Sequence, residues 1–302
     1  MAVFESNWAE AERGRQMIRT LPNSKPYKIG YSAFVVAYFI FLFAPILIVC
    51  LLAFNNSNFP SLPWYGFTLD WFISKGPKRV GLFYHPMNLK AILTSIRVAL
   101  GVSVLSTFIG TCAAFLFTQE EFRFKKIFYL LMLAPMVVPG VILGISNLSF
   151  ANALGTFLEK SYGIDLRILS PGLPLVVLGQ SSFITTFVAL VIIAKLKKFD
   201  KSLEEAAYNL GANRFEVIWF ITLRYLRPSI IGGAVVAFLL SFENFNTTLF
   251  LIGSTPTLPI ALFAQIRDGG SPVVNAVSFL LVMGMTIFSL VNLYFSRAAE
   301  RR

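Results

Sequence analysis

One carboxylate interrupts an apolar stretch that otherwise carries none: Glu243, within the run SFENFNTT at 241–248. An ionised side chain at membrane depth is expensive and usually faces a partner or an aqueous path. Ser241, Asn244, Asn246 and Thr247 add hydrogen-bond donors and acceptors over two turns around it. A carboxylate in that setting can select a cation through charge-assisted hydrogen bonds. It can equally be structural, paired with a basic or amide group on another helix or protonated by burial.

Other chemistries lack their residues. The single histidine, His85, leaves no imidazole cluster for catalysis or metal binding, and it reads as a loop residue before Pro86. Cys50 and Cys112 both fall inside hydrophobic runs, so no disulfide framework or CxxC site is expected. No GxxxxGK[ST] stretch is present to cradle phosphates. A membrane enzyme would need clustered nucleophiles, acids or metal ligands near one surface, and intramembrane acids are scarce. A proton- or sodium-driven transporter would use Glu243 as its coupling carboxylate, but the internal inverted repeats that would favour it are not seen.

The elements that must position Glu243 are membrane helices. Of the 302 residues 56% are hydrophobic and only 14% charged, with a mean hydropathy of +0.70. A soluble domain carries about a quarter charged residues. Six apolar runs are long enough to cross a bilayer, at about 29–54, 88–117, 127–150, 173–194, 228–251 and 273–294. The third has Pro135, Pro139, Gly140 and Gly144, which predicts a kinked helix, and Pro45 predicts a kink in the first. Residues 1–28 form a polar, basic tail, with 6–18 either a surface amphipathic helix or solvated chain. Residues 55–87 read as an ordered loop with Trp64, Tyr65, Trp71 and Tyr84 at interfacial level, and 151–167 as a polar loop with or without a short helix. Arg97 is expected near the outer end of the second span or facing the bundle. Tyr38 and Tyr129 read as packing and lipid contact.

The net charge of +11 does not point to nucleic acid, because the basic residues lie at the ends of apolar runs. Their partner is the anionic inner face of a bilayer. Most of the 26 Lys and Arg fall on the side of the two termini and of 195–227, which places these in the cytoplasm by the positive-inside rule.

The longest charged interruption, 195–228, carries its own helix signals. Ser202 and Glu205 read as a capping box, Gly211 as a left-handed stop, and Asn213 with Glu216 as a second cap opening a helix to about Tyr225. Pro228 suits the first residue of the next span. Two short helices in an elbow are expected, with Leu203, Ala207 and Leu210 on one face of the first. Phe215, Ile218, Trp219 and Thr222 share a face of the second.

The spacing Glu205-Ala206-Ala207, three residues, Gly211, nine residues, Ile221-Thr222-Leu223 resembles the EAA loop of bacterial ABC-importer permeases. Arg224 stands where that pattern has a proline. The stretches NLKAILTSIRVALGVSVLSTFIGTCAAFLF and PMVVPGVILGI resemble the same type I permeases, nearest the spermidine/putrescine (PotC-type) branch. The similarity covers about 88–297. The resemblance implies an all-α inner-membrane permease of six transmembrane helices, the first at 29–54 and five in a core at 88–297, with a cytoplasmic end at 298–302. Its coupling loop, about 200–223, docks on a cytoplasmic ABC ATPase dimer through Glu204, Glu205, Ala206, Ala207, Gly211, Asn213, Arg214 and Phe215. It implies further partners: a second permease (a PotB-like paralogue sooner than a second copy) and a periplasmic substrate-binding protein. ATP and Mg would be bound by the ATPase subunits, with no cofactor in this chain. The expected cargo is a polyamine or other cationic amine, with Ser241, Glu243, Asn244, Asn246 and Thr247 along the path. Opines, thiamine and iron are alternatives within the family. Arg267-Asp268 is either a contact for the binding protein or an exposed ion pair.

Overall fold

The computed structural model describes residues 25–76 and 79–300. The tail expected over 1–28 lies outside the described residues up to 24, as does the surface helix considered for 6–18. From Lys25 the chain is already helical. The helices are α1 (Lys25–Leu52), α2 (Asp70–Ile73), α3 (Pro86–Gln119), α4 (Lys125–Val137), α5 (Gly140–Tyr162), α6 (Leu173–Leu196) and α7 (Ser202–Asn209). They continue as α8 (Arg214–Phe242), α9 (Thr248–Leu251), α10 (Leu258–Arg267) and α11 (Pro272–Glu300). A two-residue hairpin pairs Lys75 with Val80 and Gly76 with Arg79. Among the described residues, α1, α3, α5, α6 and α8 are long and apolar enough to cross a membrane. The sixth expected span falls within α11, whose apolar described part, Pro272–Ile287, is shorter.

The chain divides into two compact units. The first comprises 1–68 with 275–302. In it, Asn55 ties down the loop after α1: its amide donates to the carbonyls of Ser61 and Pro63, and its oxygen accepts from the Tyr65 N–H at 2.8 Å. Along α1 the rings of Tyr27 and Tyr31, Phe34 and Tyr38, and Phe39 and Phe43 stack at helical spacing on an exposed face. Pro45 lies inside the helix.

The second unit, 69–274, holds the core and every residue of the candidate site. Here α3, α6 and α8 pack on one another around Val98, Val102, Val176, Ile184, Val188 and Leu226. Within lipid, apolar burial alone does not drive helices together, so close van der Waals packing must. Two glycines supply it. A Cβ on Gly110 of α3 would lie 3.0 Å from Val188 of α6, and one on Gly233 of α8 would lie 3.1 Å from the same side chain. Trp71 is buried, with the Arg79 guanidinium 4.8 Å over its ring. Arg79 also pairs with Asp70 at 3.2 Å.

Four expectations about the elements are corrected. The third span is not one kinked helix. Pro139 has no N–H to donate and disfavours helical backbone at Val138, so α4 stops at Val137 and α5 restarts at Gly140. Residues 151–162 continue the preceding span as helix, where a polar loop with or without its own short helix was expected. The chain turns only at Gly163 (φ 66°), where the Gly163 and Ile164 N–H groups cap the carbonyls of Glu159 and Leu158. Pro228 does not open the fifth span but sits inside α8, which begins at Arg214. Finally α8 ends at Phe242, so Glu243 terminates a helix instead of lying mid-span. Arg97 lies inside α3 with its side chain exposed rather than turned into this chain's bundle.

Candidate functional site

Two regions carry the candidate residues, joined by the continuous helix α8. The first is the turn around α7. Asp200, not Ser202, supplies its N-terminal cap: the Asp200 carboxylate accepts from the Ser202 N–H at 3.0 Å. That hydrogen bond, with a further one from the Ser202 hydroxyl, holds the Asp200 carboxyl below its ordinary value. The expected Ser202/Glu205 box is therefore absent, because the helix already begins at Ser202, one residue earlier than that box requires. The stop forms as read from the sequence. Gly211 takes φ 89°, its N–H bonds the Tyr208 carbonyl, and the Ala212 N–H bonds the Ala207 carbonyl at 3.0 Å. The second box also forms: Asn213 accepts from the Glu216 N–H at 3.0 Å, and Glu216 accepts from the Asn213 N–H at 2.8 Å.

Past that cap the backbone is continuous. Val217–Thr222 is a stretch of π-helix that passes directly into the rest of α8. The elbow is thus one short helix, a glycine turn and the end of a long helix, not two short helices. Arg224 explains the continuity, since it retains the N–H that a proline there would have removed.

Of the eight residues expected to meet a partner, Glu205, Ala206, Gly211, Asn213, Arg214 and Phe215 are exposed and Ala207 is half-buried. A Cβ placed on Gly211 would meet nothing within 4 Å, so a neighbouring backbone has room to approach. Leu210 is 89% exposed, Phe215 69% and Trp219 57%, and the Phe215 and Trp219 rings stack at 6.0 Å. Glu204 turns inward. Its Oε1 accepts from the Thr222 hydroxyl at 2.6 Å and from the Gln119 amide at 3.2 Å. Arg214 pairs with Glu120, the residue that follows α3. Gln119 and Glu120 carried no sequence signal, because their contacts lie 85 and 94 residues away.

The second region is the end of α8. Gln180 of α6 is 1% exposed and organises it. Its Oε1 accepts from the Ser241 hydroxyl, and its Nε2 donates to the Thr248 hydroxyl oxygen at 2.7 Å. The Asn244 Oδ1 accepts from the Thr248 N–H at 3.2 Å, capping α9. The Thr247 hydroxyl donates to the Gly140 carbonyl at 3.3 Å, at the break between α4 and α5. α9 seats against Gly144 and Gly179, where a Cβ would collide with Phe250 and Leu251. Of the five expected path residues, Ser241 and Thr247 are therefore buried and bonded within the chain, and Asn244 is half-buried. Glu243 and Asn246 are exposed. Among the described residues no basic group pairs with Glu243. Gln180 was missed by the sequence reading, although Gln180-Ser181-Ser182 is a polar break in an apolar run.

A groove of about 840 Å³ runs between α3 and α8, lined by Phe108, Cys112, Phe115, Ile218 and Trp219 among others. None of the expected path residues lines it. It belongs to the helix-packing surface near Glu120 and Arg214.

The sequence profile described as binding-protein-dependent transport system inner membrane component matches residues 106–301. The putrescine transport system permease protein PotI of Escherichia coli (strain K12) is 30% identical over 270 residues, covering 87% of this chain and 89% of that protein. The spermidine/putrescine transport system permease protein PotC of the same strain is 28% identical over 271 residues, covering 89% and 93%. Among solved structures, a chain of the bacterial alginate ABC transporter in complex with alginate pentasaccharide-bound periplasmic protein superposes with a TM-score of 0.65. It is 16% identical, with 93% of this chain and 94% of that one covered.

Proposed function

The chain belongs to the binding-protein-dependent transport system inner membrane component family, and from that premise we propose how it works and what it carries. It is a multi-pass inner-membrane permease subunit of an ABC importer that operates with a binding protein. The cargo we assign is a polyamine or similar small cationic amine. Glu243 carries this assignment: it is exposed, pairs with no basic group among the described residues, and sits where α8 gives way to an irregular segment. Irregular backbone at membrane depth is tolerated where it is buried in protein or lines a water-filled cavity. Both sequence relatives named above are polyamine permeases by name, which supports the same class.

In this reading the α7 end of the molecule is cytoplasmic, consistent with the basic residues at 195–227. Leu210, Phe215 and Trp219 form the apolar centre of a docking face for an ATPase subunit, with Glu205 and Arg214 at its rim. Such a face suits an interface with an apolar core and a polar edge. ATP is hydrolysed by that partner, and this chain contributes no catalytic group. One chain offers one α7, so a second permease subunit, PotB-like in kind, completes the path and faces the second ATPase. The amine is handed over by the binding protein and passes Glu243 and Asn246 as the α8 ends rock.

The test is uptake of putrescine by the importer reconstituted in proteoliposomes with its binding protein. Glu243→Gln keeps the shape and removes the charge. Losing one charge-assisted contact to an amine predicts a fall of about tenfold or more in uptake efficiency, with assembly and basal ATP hydrolysis retained. Unchanged uptake in a normally assembled complex would refute the role of Glu243. An importer that moves a neutral or anionic solute but no amine would refute the cargo class.

A further inference from the structure

Helix α7 is held to its own chain by very little. Of its eight residues only Glu204 and Ala207 are even partly buried. Glu204 makes the specific contacts, and it makes them in two directions. Its Oε1 takes the Thr222 hydroxyl at 2.6 Å, from the last residue of the π stretch in α8, and the Gln119 amide at 3.2 Å, from the last residue of α3. One residue further, Glu120 pairs with Arg214 at the start of α8. The three chain segments converge on a single carboxylate oxygen, with an ion pair beside it.

The π stretch explains how Thr222 reaches this position. Each residue of an α-helix advances by about 100°, so a turn that takes up an extra residue rotates everything after it by that amount. Thr222 is fully buried, whereas Trp219 and Phe220, three and two residues earlier, are exposed. The wide turn thus sends the aromatic rings outward and the hydroxyl inward, onto Glu204.

We propose that Glu204 is a positioning residue, an internal clasp that fastens the ATPase-facing helix to the end of α3 and makes α3 a second lever beside α8. This deepens the transport reading above and rests on it. The lever has a far end. α3 is 34 residues long, about 50 Å at helical rise. Near its other terminus Asn88 accepts from the Gln265 amide at 2.6 Å, and Ser95 accepts from the Leu258 N–H at 2.8 Å. Both partners belong to α10. Between the ends, the Ser103 hydroxyl donates to the Ala234 carbonyl of α8 at 2.7 Å. A displacement of α7 therefore passes through the clasp into a rigid rod that contacts α10 on the opposite side of the membrane. Without the clasp, α7 is linked to the chain through the Gly211 turn and acts on α3 only indirectly, by way of α8.

Two measurements on the assembled importer decide this. The first is hydrogen exchange of the α7 and α3-terminal amides in nanodiscs, which needs no substrate. Glu204→Ala is expected to speed exchange at both ends of the clasp together, and Thr222→Val on that background to add nothing further. The double variant Gln119→Leu/Thr222→Val removes only the donors and serves where Glu204→Ala fails to assemble. The second is putrescine transported per ATP hydrolysed, together with the stimulation of ATP hydrolysis by the putrescine-loaded binding protein. Loss of two bonds to a part-buried carboxylate predicts a drop of about fivefold in both, whereas Glu204→Gln, which can still bond Thr222 and Gln119, retains most of each. Unchanged exchange in Glu204→Ala or in the donor variant overturns the clasp. Altered exchange with an unchanged transport ratio overturns the lever. If the unmodified importer moves no putrescine, the transport reading fails instead, and the exchange measurement still decides the clasp.

Discussion

Replacing Gln180 with methionine keeps the side chain's length and shape and deletes its amide. In the native chain that amide is 1% exposed and makes two side-chain bonds, accepting from Ser241 and donating to Thr248 at 2.7 Å. Hydrogen bonds between membrane helices contribute about 0.6 kcal/mol on average and up to about 1.7, so the two sum to roughly 1–3 kcal/mol. The lower half of that range is favoured. Ser241 can turn its hydroxyl to a carbonyl one turn back along α8, and Thr248 already has an acceptor in the Asn244 carbonyl at 2.8 Å. Reversible unfolding in mixed micelles should therefore show Gln180→Met destabilised by about 1–2 kcal/mol. Adding Ser241→Ala or Thr248→Val should cost less than either change does alone, as expected for members of one network. Uptake should fall too, because the same bonds fix the segment that presents Glu243. A loss below about 0.3 kcal/mol, or full additivity with Ser241→Ala, would refute the network as the reason α8 ends where it does.

Gly110→Leu should disrupt the meeting of α3 and α6, since even a Cβ would lie 3.0 Å from Val188 and 3.1 Å from the Ala189 backbone nitrogen; about 1–3 kcal/mol of destabilisation is expected. Gly232→Ala, where nothing lies within 4 Å, is the control and should change stability by no more than about 0.5 kcal/mol. The Asp200 cap predicts a pH response with a definite sign. Its carboxyl is held low by the Ser202 backbone and hydroxyl hydrogen bonds, so its contribution is complete above the ordinary carboxylate range and is lost as pH falls through the lowered value. Hydrogen exchange at α7, corrected for its intrinsic pH dependence, should thus show constant protection from about pH 5 upward and a loss only below about pH 4. Asp200→Asn should weaken protection at neutral pH and flatten that response.

The membrane architecture was largely legible because the bilayer imposes a length on apolar runs: four of the six expected runs fall on helices long enough to cross, and the third is split between α4 and the crossing helix α5. The local signals that held were those whose chemistry is complete within a few residues. Gly211 needed only its own left-handed backbone, and the Asn213/Glu216 box needed only residues three apart. The box expected at Ser202 failed because Asp200, two residues earlier, competes for the same N–H and takes it. Pro228 was misplaced for a similar reason. A proline reads as a helix start, but one inside a membrane helix is tolerated where neighbours or local adjustment satisfy the freed carbonyl.

The end of α8 shows what no local pattern could supply. Ser241, Asn244 and Thr247 were read with Glu243 as one polar face along a helix, which holds only if the helix continues through them. It stops because Gln180, some 60 residues earlier in the chain, captures Ser241 and Thr248 from the side. Once the helix stops, the polar residues separate by function. Those with partners inside the chain fix the break, and Glu243 and Asn246 are left exposed, where the proposed path would need them. The same division governs the turn at α7, where Glu204 faces inward to Thr222 and Gln119 while Glu205 beside it stays exposed. Two adjacent carboxylates are thus placed differently, one bonded within the chain and one exposed. In both regions the separation is made by a contact across the fold, so the residue types were visible in the sequence and their assignments were not.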